Sequence, residues 1–174
     1  MTSTILRSER LVLAPYDPSD EEDFVDLFQD HRVSRWMGDG PSTEAADRAL
    51  FGRIFSKVYD QDLFDVWAVR QPHDSRYIGH AEVKPTAVSG GHEIIYMLAH
   101  DVWGAGLGRE LAGTLVEHAF DALGLTEVHA TVAAPNAASL AVLRAVGFTK
   151  VRDIAEKDGS TTVFLTRRQL SDEG

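Results

Sequence analysis

The apolar positions of this chain alternate between short compact runs and stripes spaced three and four residues apart. The runs, at residues 10–14, 64–69, 77–83, 94–99, 127–132, 148–154 and 161–166, are too short for helices and predict strands. The stripes predict helices. Phe24, Leu27 and Phe28 mark the first, which Asp17, Pro18, Ser19 and Asp20 introduce, with Glu21, Glu22 and Asp23 in the turn where the helix dipole favours acids. The chain breaks at Gly38, Asp39, Gly40 and Pro41. Ser42 or Thr43 then caps a second helix reaching Val58, with Ala46, Leu50, Ile54 and Phe55 inward. Leu107, Leu111, Leu115 and Ala119 define a third, filled in by Ala112, Val116, Phe120 and Leu123. A short fourth carries Leu140 and Leu143 inward, begins after Pro135 and Asn136, and ends at Gly147.

Turn chemistry links these elements. Residues 71–75 and Ser89, Gly90 and Gly91 read as turns, and Asp158-Gly159 as the tip of a terminal hairpin. The predicted order is β-α-α-β-β-β-α-β-α-β-β. Hairpin-like neighbours dominate, with a crossover helix after the run at 94–99, which implies an α+β fold with a mixed sheet and helices on its faces, not a doubly wound parallel sheet. There is no internal repeat and no break in composition, so residues 1–174 read as one domain, with 171–174 a frayed tail.

Composition narrows the functional classes. Apolar residues make up 44% and charged residues 25% of 174, ordinary for a globular protein. The net charge of −10 argues against nucleic acid and anionic membrane as partners and suits a cationic one. With no cysteine, disulfides, thiolate metal sites and a cysteine nucleophile are excluded. No apolar run approaches membrane-spanning length and no signal pattern opens the chain, so a cytoplasmic location is expected. His31, His73, His80, His92, His100, His118 and His129 are scattered without ligand spacing, and no metal is assigned.

The run at 94–99 leads into a glycine-rich corner, Trp103-Gly104-Ala105-Gly106-Leu107-Gly108, and then directly into the third helix. Strand, glycine turn and helix start together suit an anion, because glycine lets backbone approach a phosphate and the first helical amides lack intrahelical acceptors. A plain tight turn explains the same glycines. A dinucleotide fingerprint does not fit, since the third glycine is misplaced and the motif does not open a βαβ unit. No Gly-Lys-Ser/Thr follows, so the Walker pattern fails too.

A second motif downstream adds to this. Asn136, Ser139 and Gly147-Phe148 follow directly on the run at 127–132, and with the glycine corner they resemble the GNAT superfamily of acyl-CoA-dependent N-acetyltransferases. The corner matches the family's Q/R-x-x-G-x-G/A loop except at Trp103, and 136–148 matches its N-x-x-[A/S]…G-F segment. Glu9-Arg10-Leu11-Val12-Leu13 and Val33-Ser34-Arg35-Trp36 are also similar to the branch that acetylates ribosomal-protein N-termini and includes some antibiotic acetyltransferases.

The resemblance implies a mostly antiparallel sheet with a splayed central strand pair, and acetyl-CoA as co-substrate. Carried over, backbone groups of Met97, Leu98 and Ala99 meet the pantetheine arm. Trp103, Gly104, Ala105, Gly106, Leu107, Gly108 and Arg109 form the pyrophosphate cradle, where a Cβ at Gly106 or Gly108 would block the approach. Asn136 is implied to hold a pantetheine amide, although capping the fourth helix explains it equally. The family's thiolate-protonating tyrosine falls at Leu143, which has no proton to give, so Ser139 is the candidate for assisting thiolate departure; its alternative is bonding back to a helix carbonyl. A substrate amine must lose a proton before it attacks the thioester. Glu93, at the carboxylate position usual in the branch, is favoured as the base over Glu82, and a backbone amide such as that of Leu98 would polarise the carbonyl.

Trp36 and Trp67 would wall the acceptor pocket or sit in the core, and the loops at 30–43 and 156–160 would vary the acceptor site. The implied acceptor is a protein N-terminus or small-molecule amine, with a cationic peptide or antibiotic suiting the charge, and homodimers are common in the family. A non-catalytic acyl-CoA-binding regulatory module is the competing reading.

Overall fold

Strand pairing in the computed structural model follows the hairpin order of the sequence. The structure describes residues 4–38, 40–88 and 90–170; Asp39 of the expected chain break, Ser89 of the expected turn and the expected tail at 171–174 lie outside them. Eight strands form one sheet: β1 (Leu6–Arg7), β2 (Val12–Ala14), β3 (Asp65–Arg70), β4 (Tyr77–Pro85), β5 (His92–Leu98), β6 (Glu127–Ala133), β7 (Thr149–Ala155) and β8 (Thr161–Arg168). Their order is β1-β2-β3-β4-β5-β6-β8-β7. Every adjacent pair is antiparallel except β5 and β6.

Helices cover both faces. On one lie α4 (Leu107–Asp121) and α5 (Ala137–Ala145), which bury Leu111, Leu115, Leu140 and Leu143 against Leu13, Trp67, Val83, Ile94 and Leu98. On the other lie α1 (Glu21–Gln29), α2 (His31–Ser34) and α3 (Glu44–Arg53), α3 running on into a π-helical turn, Ile54–Tyr59. Here Phe24, Phe51 and Ile54 pack on Val66 and Ala68. Each such enclosed side chain contributes about 1.5–3 kcal/mol through burial.

Caps fix where the helices begin. Asp17 and Asp20 form a reciprocal box around the 3₁₀ turn Pro18–Asp20. At α3 the cap is Thr43, whose hydroxyl accepts from Ala46 N–H at 3.1 Å.

The inward face of α3 corrects the sequence reading. Asp47, Phe51, Ile54 and Val58 are buried, whereas Ala46 is exposed and Leu50 is 38% exposed. Phe51 rotates the helix by packing edge-on against Tyr16 and obliquely against Phe24, while Asp47 accepts from Gln29 Nε2 at 2.5 Å. Two elements add to the expected order: the short β1, and α2 inside the expected loop at 30–43. Leu123 lies beyond α4 and is 40% exposed.

The feature that positions the site is the junction of β5 and β6. Their register holds only one pair, Glu93 with His129. β5 stays in ladder with β4 over seven pairs, from His92–Pro85 to Leu98–Gly79. The two parallel strands therefore touch near the start of β5 and part toward Leu98, leaving an edge of β5 open.

Candidate active site

Alternation along β5 decides which groups face the open edge. Ala99 N–H donates to Ile78 O at 2.8 Å, toward β4. Backbone direction reverses at every residue, so Met97 also turns to β4, while Tyr96 and Leu98 turn to the slit. The trio expected to meet the pantetheine arm is thereby corrected: Met97 turns its backbone to β4, Ala99 gives its N–H to β4 and its carbonyl to Val102 N–H at 3.1 Å, and Leu98 alone of the three faces the opening. Even at Leu98 the carbonyl accepts from the Trp103 indole N–H at 2.8 Å, so its amide is the group left to face the slit. Counting by two from Leu98 would have named Tyr96.

The glycine corner lies at the wide end of the slit. Gly104 and Gly106 have φ of +82° and +80°, a region that L side chains avoid, and Gly106 caps α4 without any side-chain bond. The first amides of α4, from Leu107, Gly108 and Arg109, thus have neither an intrahelical acceptor nor a capping side chain. The Leu107 side chain is itself buried, and that of Arg109 is exposed. Gly108 lies in the first turn of α4. A Cβ there would meet Val142 at 3.6 Å, an ordinary contact, so packing does not demand glycine.

A clamp that the sequence did not reveal holds this corner. Arg10 Nη1 donates to Ala105 O at 2.8 Å, and Arg10 Nε to Glu110 Oε1 at 2.9 Å. Glu110 Oε2 accepts from Ser8 Oγ and from Arg10 N–H at 2.6 and 2.8 Å. No spacing rule links residues so far apart in the chain, although Arg10 lay in a stretch singled out for its resemblance.

Across the slit, Asn136 caps α5, with Oδ1 accepting from Ser139 N–H at 3.3 Å. Ser139 Oγ lies 3.1 Å from Tyr96 Oη. Leu143 is only 1% exposed and belongs to the core.

The two carboxylates project from the opposite face, beside α1–α3. Glu82 stands opposite Ile95 and Glu93 opposite Lys84 in the β4–β5 ladder. Glu82 Oε2 is 3.3 Å from His80 Nε2. His80 Nδ1 is 2.7 Å from Tyr16 Oη, which is 2.7 Å from Tyr77 Oη. Burial pushes the Glu82 carboxyl up, but the His80 hydrogen bond, with the charges of His80 and Lys84, outweighs it and holds the group below its usual range. Sequence reasoning left His80 and Tyr16 unassigned, since only the fold brings residue 16 beside β4.

Near the wide end, a cleft of about 440 Å³ is lined by Asp23, Asp26, Asp30, Arg76, Tyr77 and Ala99. The expected acceptor loop packs nearby, with Val33 and Met37 against Met97. Trp67 is fully buried, its indole donating to Thr4 O at 2.7 Å, so it is core and not a pocket wall.

A sequence profile of the acetyltransferase (GNAT) domain matches residues 10–149. The chain belongs to the GNAT family. An uncharacterized N-acetyltransferase, YoaA, from Bacillus subtilis is 27% identical over 148 residues, covering 84% of this chain and 83% of that one. Among solved structures, a spermidine N-acetyltransferase from Vibrio cholerae, in complex with CoA and spermine, superposes with a TM-score of 0.80 at 15% identity, covering 93% of this chain and 97% of that one. A ribosomal-protein-S5-alanine acetyltransferase from Vibrio fischeri gives a TM-score of 0.76 at 17% identity, covering 95% and 97%. This GNAT chain is an acetyl-CoA-dependent acyltransferase that moves an acetyl group to an amine. The open β5 edge and the uncapped start of α4 are the features that suit acetyl-CoA. Among the described residues no helix is long and apolar enough to cross a membrane, and no cluster of His, Asp and Glu suits a metal.

Proposed function

We propose that this GNAT chain acetylates a cationic primary amine, on a peptide N-terminus or a small molecule, by direct attack of the amine on the thioester. The observation that carries the reading is the disposition of side chains about the slit. Ser139 and Tyr96 lie on the α4–α5 face, Glu82 and Glu93 on the other. A reacting carbonyl in the slit then has a proton acceptor on one side and a hydroxyl donor on the other.

Glu82 is the base in this reading, in preference to Glu93. It is half-buried, held ionised by its His80 contact, and two residue pairs beyond the point where β5 and β6 close at Glu93. Glu93 sits in the closed seam, opposite Lys84 and His129. The Leu98 amide polarises the carbonyl. The amides of Leu107, Gly108 and Arg109 hold the pyrophosphate at the positive end of α4, and the Asn136 side chain holds a pantetheine amide. The net charge of −10 and the aspartates of the cleft favour a cationic acceptor.

The test is a thermal melt with acetyl-CoA, NAD or ATP, followed by an acetylation screen of polyamines, aminoglycosides and N-terminal peptides. Ligand at about 100 times its Kd stabilises by about 2.7 kcal/mol. Stabilisation by acetyl-CoA alone and turnover with cationic amines are expected. Stabilisation by NAD or ATP instead would overturn the cofactor assignment, and turnover confined to neutral or acidic amines would overturn the acceptor class.

A further inference from the structure

Ser139 is the third residue of α5, one turn in, where a serine hydroxyl commonly bonds back to a preceding carbonyl. Here the hydrogen bond of Ser139 Oγ is instead to Tyr96 Oη, which reaches across from the middle of β5 at 3.1 Å. Either hydroxyl could donate at this distance; a phenol is a far stronger acid than an aliphatic alcohol and so the better donor, which favours Tyr96 O–H donating to Ser139 Oγ. Burial pushes the Tyr96 phenol above its ordinary value, so the hydroxyl keeps its proton at neutral pH. The serine's own proton is then directed away from Tyr96. Ser139 is only partly buried, and the slit lies beside it.

We propose that Tyr96 is the positioning residue of a two-hydroxyl donor chain, in which Tyr96 orients Ser139 and Ser139 donates to the sulfur that leaves acetyl-CoA. This rests on the function proposed above and supplies the donor that Leu143 lacks. As the amine nitrogen bonds to the carbonyl carbon, the carbon–sulfur bond breaks and its electron pair goes to sulfur. Ser139 O–H donates to that thiolate, and Tyr96 O–H to the serine oxygen. The amine proton goes to the carboxylate base. Neither hydroxyl loses its proton, and the thiolate is protonated by solvent on release. Each hydrogen bond polarises the next, so the pair acts as a unit.

Binding tests this without knowledge of the acceptor. Wild type, Ser139→Ala, Tyr96→Phe and the double variant are titrated with CoA and with desulfo-CoA, in which hydrogen replaces the thiol. The pH is about 10, because the alkyl thiol of CoA is a weaker acid than cysteine, whose pKa is about 8.5. Wild type should prefer CoA by roughly tenfold or more, as expected for a hydrogen bond to a charged group. Ser139→Ala should abolish the preference, Tyr96→Phe should reduce it several-fold, and the double variant should lose no more than Ser139→Ala alone. Absorbance of the bound thiolate should show its pKa rising in the same order. Desulfo-CoA should bind all four proteins alike. A preference unchanged in Tyr96→Phe, or equal weakening of both ligands, would reduce Tyr96 to a packing role and overturn the proposal. Failure of wild type to bind either ligand would overturn the slit as the CoA site itself, a different result from binding that ignores the sulfur.

Discussion

Arg10 and Glu110, one hundred positions apart, meet in two hydrogen bonds to one carboxylate, from Arg10 Nε at 2.9 Å and from Arg10 N–H at 2.8 Å. Through them the amino-terminal strands hold the glycine corner in place, since the same guanidinium also bonds Ala105 O.

Removing the carboxylate should loosen that corner. Glu110→Ala strips acceptors from Ser8 and Arg10 and should cost about 2–3 kcal/mol by urea unfolding, with weaker acetyl-CoA binding by calorimetry. The effect should depend on pH in a defined direction. Burial raises the Glu110 carboxyl, but the bonds from Ser8 and Arg10 prevail and hold it below its ordinary value. A group depressed in the folded state stabilises above its unfolded pKa, about 4.3, and that stability is lost as pH falls through the folded value. The stability gap between wild type and Glu110→Gln should therefore be full at pH 7 and narrow below about pH 4. An equal gap at both would mean that the carboxylate charge plays no part.

The glycines of the corner should separate by substitution. Gly106 needs φ of +80°, so Gly106→Ala forces an L residue into the left-handed region at about 1–2 kcal/mol and tilts the first amides of α4. Gly108 lies inside α4 with a place for a methyl at 3.6 Å from Val142. Gly108→Ala should be neutral or stabilising by up to about 1 kcal/mol, because alanine favours a helix. Melts of both variants, with and without acetyl-CoA, check this. Equal loss of stability in the two apo proteins would contradict the backbone argument.

These two sites show what the sequence could and could not disclose. Strand and helix order were legible because β5 and α4 carry their periods locally, and the glycine corner was legible as a turn from its place between an apolar run and a leucine stripe. The α3 face was misread by about one residue, since Ala46 and Leu50 satisfy a helical period as well as Asp47 and Phe51 do. Only Tyr16 and Phe24, brought in by the fold, choose between them. The clamp, the Tyr96–Ser139 pair and the His80–Tyr16 contact all join distant segments, and no local spacing encodes them. The backbone roles at Met97 and Ala99 failed for another reason. Period-two alternation makes consecutive residues unable to share one edge.

The base assignment should be visible in rate and in pH. Glu82→Gln should lower kcat/KM for a turned-over amine by about 10²–10⁴-fold, and Glu93→Gln by much less. His80→Gln removes the bond that holds the Glu82 carboxyl low. The carboxyl then titrates higher, and as it must be ionised to take a proton, the acidic limb of the kcat/KM profile should move to higher pH. A large loss in Glu93→Gln with little in Glu82→Gln would hand the role to Glu93.

Asn136 carries two roles that one pair of variants can separate. Its Oδ1 caps α5 by accepting from Ser139 N–H, while its amide N–H₂ is the group available to a pantetheine carbonyl. Aspartate caps about as well as asparagine but has no N–H to give. Asn136→Asp should therefore keep wild-type stability within about 0.5 kcal/mol while acetyl-CoA affinity falls. Asn136→Ala should lose about 1 kcal/mol of stability as well as the affinity. Melting temperature without ligand reads the cap, and calorimetric affinity for acetyl-CoA reads the ligand contact. If Asn136→Asp binds acetyl-CoA as tightly as wild type, the asparagine is a cap and nothing more. The pantetheine amide must then be held by the β5 edge at Tyr96 and Leu98 alone.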